Sequence, residues 1–213
     1  MLITFSGLDG AGKSTLIEWL RAELERRARR VAVFHMNDHV GVYAYLRAIR
    51  DRLRPTGAPR PPGDPAGPTP LRGRLGAVRD AVIWNKSFRR LLYPIDLVVF
   101  WVYRLYVEKL RGRVLIMDRY FYDSLVDVSN GRGTRWVRFL ARLTPTPDLA
   151  VFLDISPEES FARKGEYSVA YLRARWQHYR TVAPWVRSAL VVDNRDLADT
   201  QRILARALEE RLA

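Results

Sequence analysis

The residues best suited to chemistry lie near the start of the chain, where residues 7–15 read GLDGAGKST. They contain the spacing G-x-x-x-x-G-K-S, in which glycines let the backbone turn tightly and aim N–H groups at phosphate oxygens. In this pattern Lys13 reaches the β- and γ-phosphates of a nucleotide, and the Ser14 hydroxyl binds Mg²⁺. The segment predicts a nucleoside triphosphate site made of Gly7, Leu8, Asp9, Gly10, Ala11, Gly12, Lys13, Ser14 and Thr15.

The residues on either side of the loop support this interpretation. A short apolar run at 2–6 precedes it, and apolar residues follow it at helical spacing. A strand before the loop and a helix after it are the context that the motif requires. The helix also contributes the positive end of its dipole. The alternative is a glycine-rich turn that matches the motif by chance, and such a turn would not be expected to lie between a strand and an amphipathic helix.

A second candidate group follows the predicted strand at 114–118, whose last residue is Asp118. In phosphate-loop enzymes a carboxylate at this place completes the magnesium site, usually through water. The next residue, Arg119, carries a guanidinium that can hold a phosphate bidentately. A surface ion pair at a strand end is the alternative. Together with the loop, the pattern favours a site in which Ser14 and Asp118 organise Mg²⁺.

Composition limits the class of protein. With 213 residues, of which 48% are hydrophobic, the chain is expected to form a single domain over 1–213. It has no cysteine, so disulfides and thiolate metal sites are excluded. The N-terminus has no basic, cleavable leader pattern, and the longest apolar run is too short to span a bilayer. We therefore expect a cytoplasmic protein that does not enter a membrane.

The formal net charge of +13 raises the question of nucleic-acid binding. The basic clusters at 21–30, 47–54 and 202–211 are mixed with acidic residues at helical spacing, as on solvated helix faces. No zinc-finger spacing or RNA-recognition signature accompanies them. The charge instead favours attraction of phosphorylated small molecules, and nucleic acid is not an expected partner.

Apolar strands and amphipathic helices alternate along the chain. We predict strands at 2–6, 31–36, 114–118, 149–154 and 190–193, and helices at 13–29, 41–54, 71–89, 91–111, 121–129, 133–143, from Pro157, at about 166–188 and at 196–211. This order predicts an α/β fold with a five-stranded parallel sheet covered by helices on both faces. Ligands are then expected beyond the carboxyl ends of the strands. The proline-rich segment 55–70 is expected to be a mobile loop.

Three segments in this order resemble the thymidylate kinase family of P-loop nucleoside-monophosphate kinases. They are the loop within residues 3–15, the triplet Asp118-Arg119-Tyr120, and the strand 147–154 followed by Pro157 and Glu158. The loop and the triplet are specific as a pair, and the three segments span most of the chain. The resemblance implies a P-loop kinase fold with a short lid. It also implies transfer of the γ-phosphate of ATP to a nucleoside monophosphate, thymidylate by default, with Mg²⁺ as cofactor.

The resemblance also implies roles for individual residues. Asp9 matches a loop carboxylate that faces the acceptor sugar, and Arg119 matches an arginine near the transferring phosphoryl group. With Asp118 and Tyr120 they form the expected acceptor site. The lid is expected near 162–168.

Family members with glycine at the position of Gly10 supply the missing positive charge from the lid. Arg163 and Lys164 match that role, so both are expected to act in catalysis together with Lys13 and Arg119. The alternative for the lid pair is an ordinary basic helix end.

Three departures from the family concern the acceptor side. The family carries Arg-Glu-Pro-Gly-Gly after its second strand, whereas residues 34–41 read FHMNDHVG. An acceptor arginine that the family carries on a helix corresponds to Leu97, and the proline-rich segment 55–70 replaces a compact region. The alternatives are therefore a kinase for another phosphorylated molecule, such as a sugar or a different nucleotide, and a nucleotide-binding regulatory protein.

Two further groups have open roles. The polar cluster His35, Asn37, Asp38 and His39 is expected to be a hydrogen-bonding loop rather than a metal site. An aromatic set is expected mainly in the core, with part of it at a homodimer interface or stacked on an acceptor base. Its members are Trp84, Phe88, Tyr93, Phe100, Trp101, Tyr103 and Tyr106.

Overall fold

The computed structural model describes residues 1–35, 86–128 and 134–212. Several predictions concern segments outside these residues. They are the helix at 41–54, the proline-rich loop at 55–70, most of the helix at 71–89, and the roles of Asn37, Asp38, His39 and Trp84.

The described residues form five strands and seven α-helices. In chain order these are β1 Leu2–Gly7, α1 Lys13–Arg26, β2 Val31–His35, α2 Lys86–Leu105, β3 Val114–Asp118, α3 Phe121–Val128, α4 Thr134–Leu143, β4 Leu149–Asp154, α5 Pro157–Lys164, α6 Val169–Val182, β5 Ala189–Asp193 and α7 Leu197–Leu212. A π-helical turn, Tyr106–Leu110, extends α2, and a 3₁₀ turn, Ala183–Trp185, follows α6.

The five strands make one sheet in the order β2-β3-β1-β4-β5, and every neighbouring pair is parallel. This confirms the predicted α/β fold. Because all strands run the same way, their carboxyl ends share one edge of the sheet. The phosphate loop after β1 therefore lies between the ends of β3 and β4.

The sheet is buried because alternate residues of its central strands enter two different cores. Ile3 and Phe5 of β1 join a core on the side of α1 and α7. Leu2 joins a core on the other side, which also contains Phe100 and Tyr120. Both faces of β1 are thus covered, as expected for a continuous apolar strand in a parallel sheet.

The helix boundaries differ from the predicted ones for local reasons. The predicted helices 71–89 and 91–111 are wrong in their division, since α2 runs without a break from Lys86 to Leu105. The helix predicted at 166–188 begins only after Ser168, whose side chain accepts a hydrogen bond from the Tyr171 amide. Helix α1 ends at Arg26, two residues before Ala28, which has a φ of 57°. Such caps and turns are set by single residues rather than by apolar periodicity.

Within the three described ranges, no helix is both long and apolar enough to cross a membrane.

Candidate active site

The phosphate loop depends on glycine for its shape. Gly10 and Gly12 have φ angles of 86° and 87°, in the left-handed region that favours glycine. Gly12 directly precedes α1, so the loop leads into the amino end of that helix. The Ser14 side chain at this end is exposed, as a residue that binds a ligand requires.

Lys13 is held inside the loop by the loop's own backbone. Its side chain is buried, and Nζ donates hydrogen bonds to the carbonyl oxygens of Gly7 at 3.1 Å and Leu8 at 2.8 Å. Burial lowers the pKa of Lys13, and the positive charge of Arg119 adds to this effect. A phosphate offers this ammonium a negative partner in place of two neutral carbonyls.

Arg119 lies beside the loop because of an unusual backbone turn. Its φ is 63°, a left-handed value for a residue with a side chain, and its amide donates to the Phe5 carbonyl at 2.9 Å. Strained conformations of this kind cluster at functional sites. The turn brings the guanidinium to the carboxylate of Asp9, with which it forms an ion pair.

The charges of this pair support each other. Burial raises the pKa of Asp9, but the nearby positive charges of Arg119 and Lys13 outweigh it and keep that pKa below its usual value. Burial acts against the charged form of Arg119, and the carboxylates of Asp123 and Asp9 reverse the effect and raise its pKa. Both side chains are therefore ionised at neutral pH.

Asp118 has one carboxylate oxygen available for a ligand. Its Oδ2 lies 3.1 Å from Nδ1 of His35, while its buried Oδ1 has no hydrogen-bond partner among the described residues. An unpaired buried oxygen of this kind fits Mg²⁺ or a water that is bound to it. With the exposed hydroxyl of Ser14, the donor set suits a hard cation.

The described residues include no group of three or more side chains typical of a protein-only metal site. His35, the described member of the predicted polar cluster, pairs with Asp118 at the end of β2.

A buried polar network lies beneath these groups and was missed by the sequence analysis. Asp123 is buried and accepts hydrogen bonds from Ser6 Oγ at 2.7 Å and the Tyr120 amide at 2.9 Å. The Tyr179 hydroxyl donates to the other carboxylate oxygen of Asp123. The same hydroxyl accepts a hydrogen bond from Nη2 of the buried Arg175 at 3.4 Å. The sequence offers one sign of this network, since Asp123 is a carboxylate among apolar residues at the start of α3.

Tyr120 lies outside the site. Its side chain is fully buried in the core, where its ring meets Phe100 edge-on at 5.5 Å. Its hydroxyl donates to the carbonyl of Pro145 at 2.6 Å. The predicted contact between Tyr120 and the acceptor is therefore corrected to a packing role. The chain turns at Arg119, so the two neighbours point in different directions.

Helix α5 and the residues after it occupy the position of the predicted lid. The Ser160 hydroxyl donates to the Asp9 carbonyl at 2.5 Å, so α5 packs directly on the loop. A Cβ at Gly10 would lie 3.0 Å from the Ser160 carbonyl oxygen and 3.4 Å from Cβ of Lys164. A side chain at position 10 would crowd the backbone of α5 and would be strained by the φ of 86°, so the structure favours glycine here.

The two lid cations differ in their surroundings. Nη2 of Arg163 donates to the carbonyl of Asn194 at 3.3 Å, at the end of β5. Nζ of Lys164 pairs with Glu166 at 3.1 Å, and both side chains are about half exposed. Arg163 is therefore held next to the phosphate loop, whereas Lys164 is paired within the lid.

The described side chains of the predicted aromatic set divide into core and surface residues, and those of Trp84, Phe88 and Tyr93 lie outside the description. Phe100 packs in the core, and Tyr103 meets the ring of Phe34 at 4.5 Å. Trp101 and Tyr106 are exposed at 55% and 45%.

The chain is similar in sequence to several thymidylate kinases. None of the known protein-family models matches the chain. The chain is 28% identical over 169 residues to a thymidylate kinase of Chlorobium luteolum, a match that covers 77% of this chain and 66% of that protein. It is 31% identical over 165 residues to a probable thymidylate kinase of Thermococcus gammatolerans, covering 76% and 69%. A probable thymidylate kinase of Thermococcus onnurineus is 30% identical, with coverages of 76% and 70%.

The matched region thus spans about two thirds of each relative. This sequence similarity agrees with two features of the site, the phosphate loop after β1 and the neighbours Asp118 and Arg119 at the end of β3. The chain belongs to the thymidylate kinase family of nucleotide kinases.

Proposed function

We propose that the protein transfers the γ-phosphate of ATP to a nucleoside monophosphate, with thymidylate as the first acceptor to test. The observation that carries this proposal is the Arg119–Asp9 pair beside Lys13. Nucleotide binding alone needs the loop and its lysine. A second cation, partly buried and directly after the neighbouring strand β3, suits the transfer of a charged phosphoryl group.

The donor side of the mechanism follows from the loop. The backbone N–H groups of the loop bind the ATP phosphates, and Lys13 exchanges its two carbonyl partners for β- and γ-phosphate oxygens. Ser14 and Asp118 would hold Mg²⁺, which neutralises phosphate charge when it is bound.

The transfer step needs positioning and charge rather than a covalent intermediate. A phosphate oxygen of the acceptor attacks the γ-phosphorus, the bond to the β–γ bridging oxygen breaks, and ADP leaves with that oxygen. Arg119 and the lid cations Arg163 and Lys164 stabilise the moving group. Asp9 holds Arg119 in place and faces the acceptor.

An ADP-release assay over a panel of acceptors tests this proposal. We expect turnover with one or more of thymidylate, deoxyuridylate, uridylate, cytidylate, guanylate and adenylate, because the charged groups near the loop suit a phosphate acceptor. Sugar phosphates serve as the comparison class, since the arginines that the family uses for its acceptor are missing. ATP binding without turnover of any compound would contradict the kinase proposal and favour a regulatory protein.

We also propose that the protein forms a homodimer through an apolar face of α2 and its extension. Eight large apolar side chains there are between 39% and 78% exposed, far more than a monomer's helix normally shows. They are Ile95, Val98, Val99, Trp101, Val102, Leu105, Tyr106 and Leu110. A second copy offers the same apolar face, so the two can cover each other about a two-fold axis.

Val102→Glu is expected to convert the dimer into a monomer, because it places a charge in the centre of this face. Light scattering coupled to size-exclusion chromatography would measure the mass. Leu143→Glu, which adds a charge at an exposed apolar residue of α4, is the control and should leave the dimer intact. A native protein that is monomeric at micromolar concentration would contradict the proposal.

A further inference from the structure

Asn194 joins the end of β5 to the phosphate loop. Its side chain is 5% exposed, and its Nδ2 donates to the carbonyl oxygen of Ala11 at 2.6 Å, across 183 positions of sequence. The contact is tight, since a Cβ at Gly12 would lie only 2.5 Å from the same nitrogen. Neither the loop motif nor the family resemblance pointed to this residue.

The backbone of Asn194 makes two further links. Its amide donates to the Asp154 carbonyl at the end of β4, at 3.3 Å, and its carbonyl accepts the hydrogen bond from Arg163 at 3.3 Å. One residue therefore contacts the loop through its side chain and the lid arginine through its main chain. Both contacts are made by the residue that directly follows β5.

We propose that Asn194 is a positioning residue that holds the phosphate loop and the guanidinium of Arg163 in register for phosphoryl transfer; this inference rests on the proposed kinase function. Loss of its amide leaves the Ala11 carbonyl without this donor and frees the loop to move relative to Arg163. An error of about 1 Å in such a placement can cost about 100-fold in rate.

The chemistry of the amide allows a sharp distinction between positioning and packing. Asn194→Asp has almost the same volume, but its carboxylate would face the Ala11 carbonyl and could not donate to it. If Asn194 only filled space, the aspartate would be tolerated wherever the fold is retained. If the donated hydrogen bond matters, Asn194→Asp fails as badly as Asn194→Ala or worse.

Thr200→Val provides a matched control. Thr200 is also fully buried in the segment after β5, and its hydroxyl donates to the carbonyls of Asp193 at 3.2 Å and Asp196 at 2.9 Å. No hydrogen bond joins this hydroxyl to the phosphate loop within the described part of the chain. Thr200→Val therefore removes a buried hydrogen bond to a carbonyl, as Asn194→Ala does, but leaves the contact between Asn194 and the phosphate loop in place.

The test compares the native enzyme with these three variants by melting temperature, ATP affinity, KM for the acceptor and single-turnover rate. We expect Asn194→Ala and Asn194→Asp to lower the rate at least 10-fold while the KM for the acceptor stays within about twofold. Thr200→Val should keep the native rate. Equal rate losses in Asn194→Ala and Thr200→Val, or a near-native rate in Asn194→Asp, would overturn the proposal.

A double-mutant cycle with Arg163→Ala tests the link to the lid directly. We expect Arg163→Ala to reduce the rate much less in the Asn194→Ala background than in the native enzyme, because the arginine is already misplaced there. Additive losses would overturn the link. If the native protein turned over no acceptor, the kinase proposal itself would fail; the ATP affinities of Asn194→Ala and Thr200→Val would still show whether Asn194 orders the loop.

Discussion

Replacing Lys13 by alanine is expected to abolish phosphoryl transfer. Removing a preorganised donor from a site of developing charge typically costs about 100- to 1,000-fold in rate, and a full positive charge on two phosphates should reach the upper end of that range. The structure supports a specific effect on ligand binding and catalysis. Among the described residues, the hydrogen bonds of the ammonium go to the carbonyls of Gly7 and Leu8, which are parts of the loop itself.

The same geometry predicts that the Lys13→Ala protein remains folded. Leu16 and Leu20 of α1 provide the contacts with the core, and Lys13 has no role in them. The melting temperature should therefore change little while the rate of ADP release falls to background. Lys109→Ala, at an exposed lysine of the π-helical turn, is the matched control and should retain native turnover. Near-native turnover in Lys13→Ala would mean that the loop is not a phosphate site.

The fold was predictable because its central strands are almost uniformly apolar. Residues 149–154 of β4 read LAVFLD, and such a run is typical of a strand that is buried on both faces. The helix ends were harder to predict because they depend on single caps. Ser168 at the start of α6 is one example, since apolar periodicity does not show where a serine side chain accepts from the backbone.

The site was predictable where sequence neighbours act together. The loop and the pair Asp118 and Arg119 are short segments, so their types and spacing identify them. Tyr120 was assigned wrongly because a left-handed φ at Arg119 redirects the chain, and the sequence gives no sign of that angle. Asn194 was missed for a different reason.

The contact of Asn194 with Ala11 exists only because β5 lies beside β4 in the sheet. Strand order of this kind does not follow from local patterns. Residues that serve the site from distant elements therefore require the three-dimensional structure.

The second large effect is expected at Arg119 and separates the transfer step from ATP binding. Arg119→Ala should reduce turnover by two or more orders of magnitude, since the guanidinium is expected to contact the moving phosphoryl group. ATP affinity should stay within about threefold. The loop backbone and Lys13 hold the ATP phosphates, whereas Arg119 lies at the end of the neighbouring strand β3 and pairs with Asp9.

Two variants make this prediction specific. Arg119→Lys should restore little activity, because an ammonium cannot reproduce the bidentate fork of a guanidinium that bonds to Asp9 and a phosphate together. Arg113→Ala removes an arginine next to the opposite end of β3 and should leave the rate unchanged. Calorimetric ATP titrations and single-turnover rates would be measured for each protein.

Equal losses of ATP affinity and rate in Arg119→Ala would place this arginine in the ATP site instead. That outcome would leave Asp9 as the group that faces an acceptor. The expected outcome, a rate loss with ATP binding retained, follows from the position of Arg119 at the end of β3, outside the loop that binds ATP. Burial acts against the charged form of Arg119, but the carboxylates of Asp123 and Asp9 outweigh it and raise the pKa, so the positive charge is available for the transferring group at neutral pH.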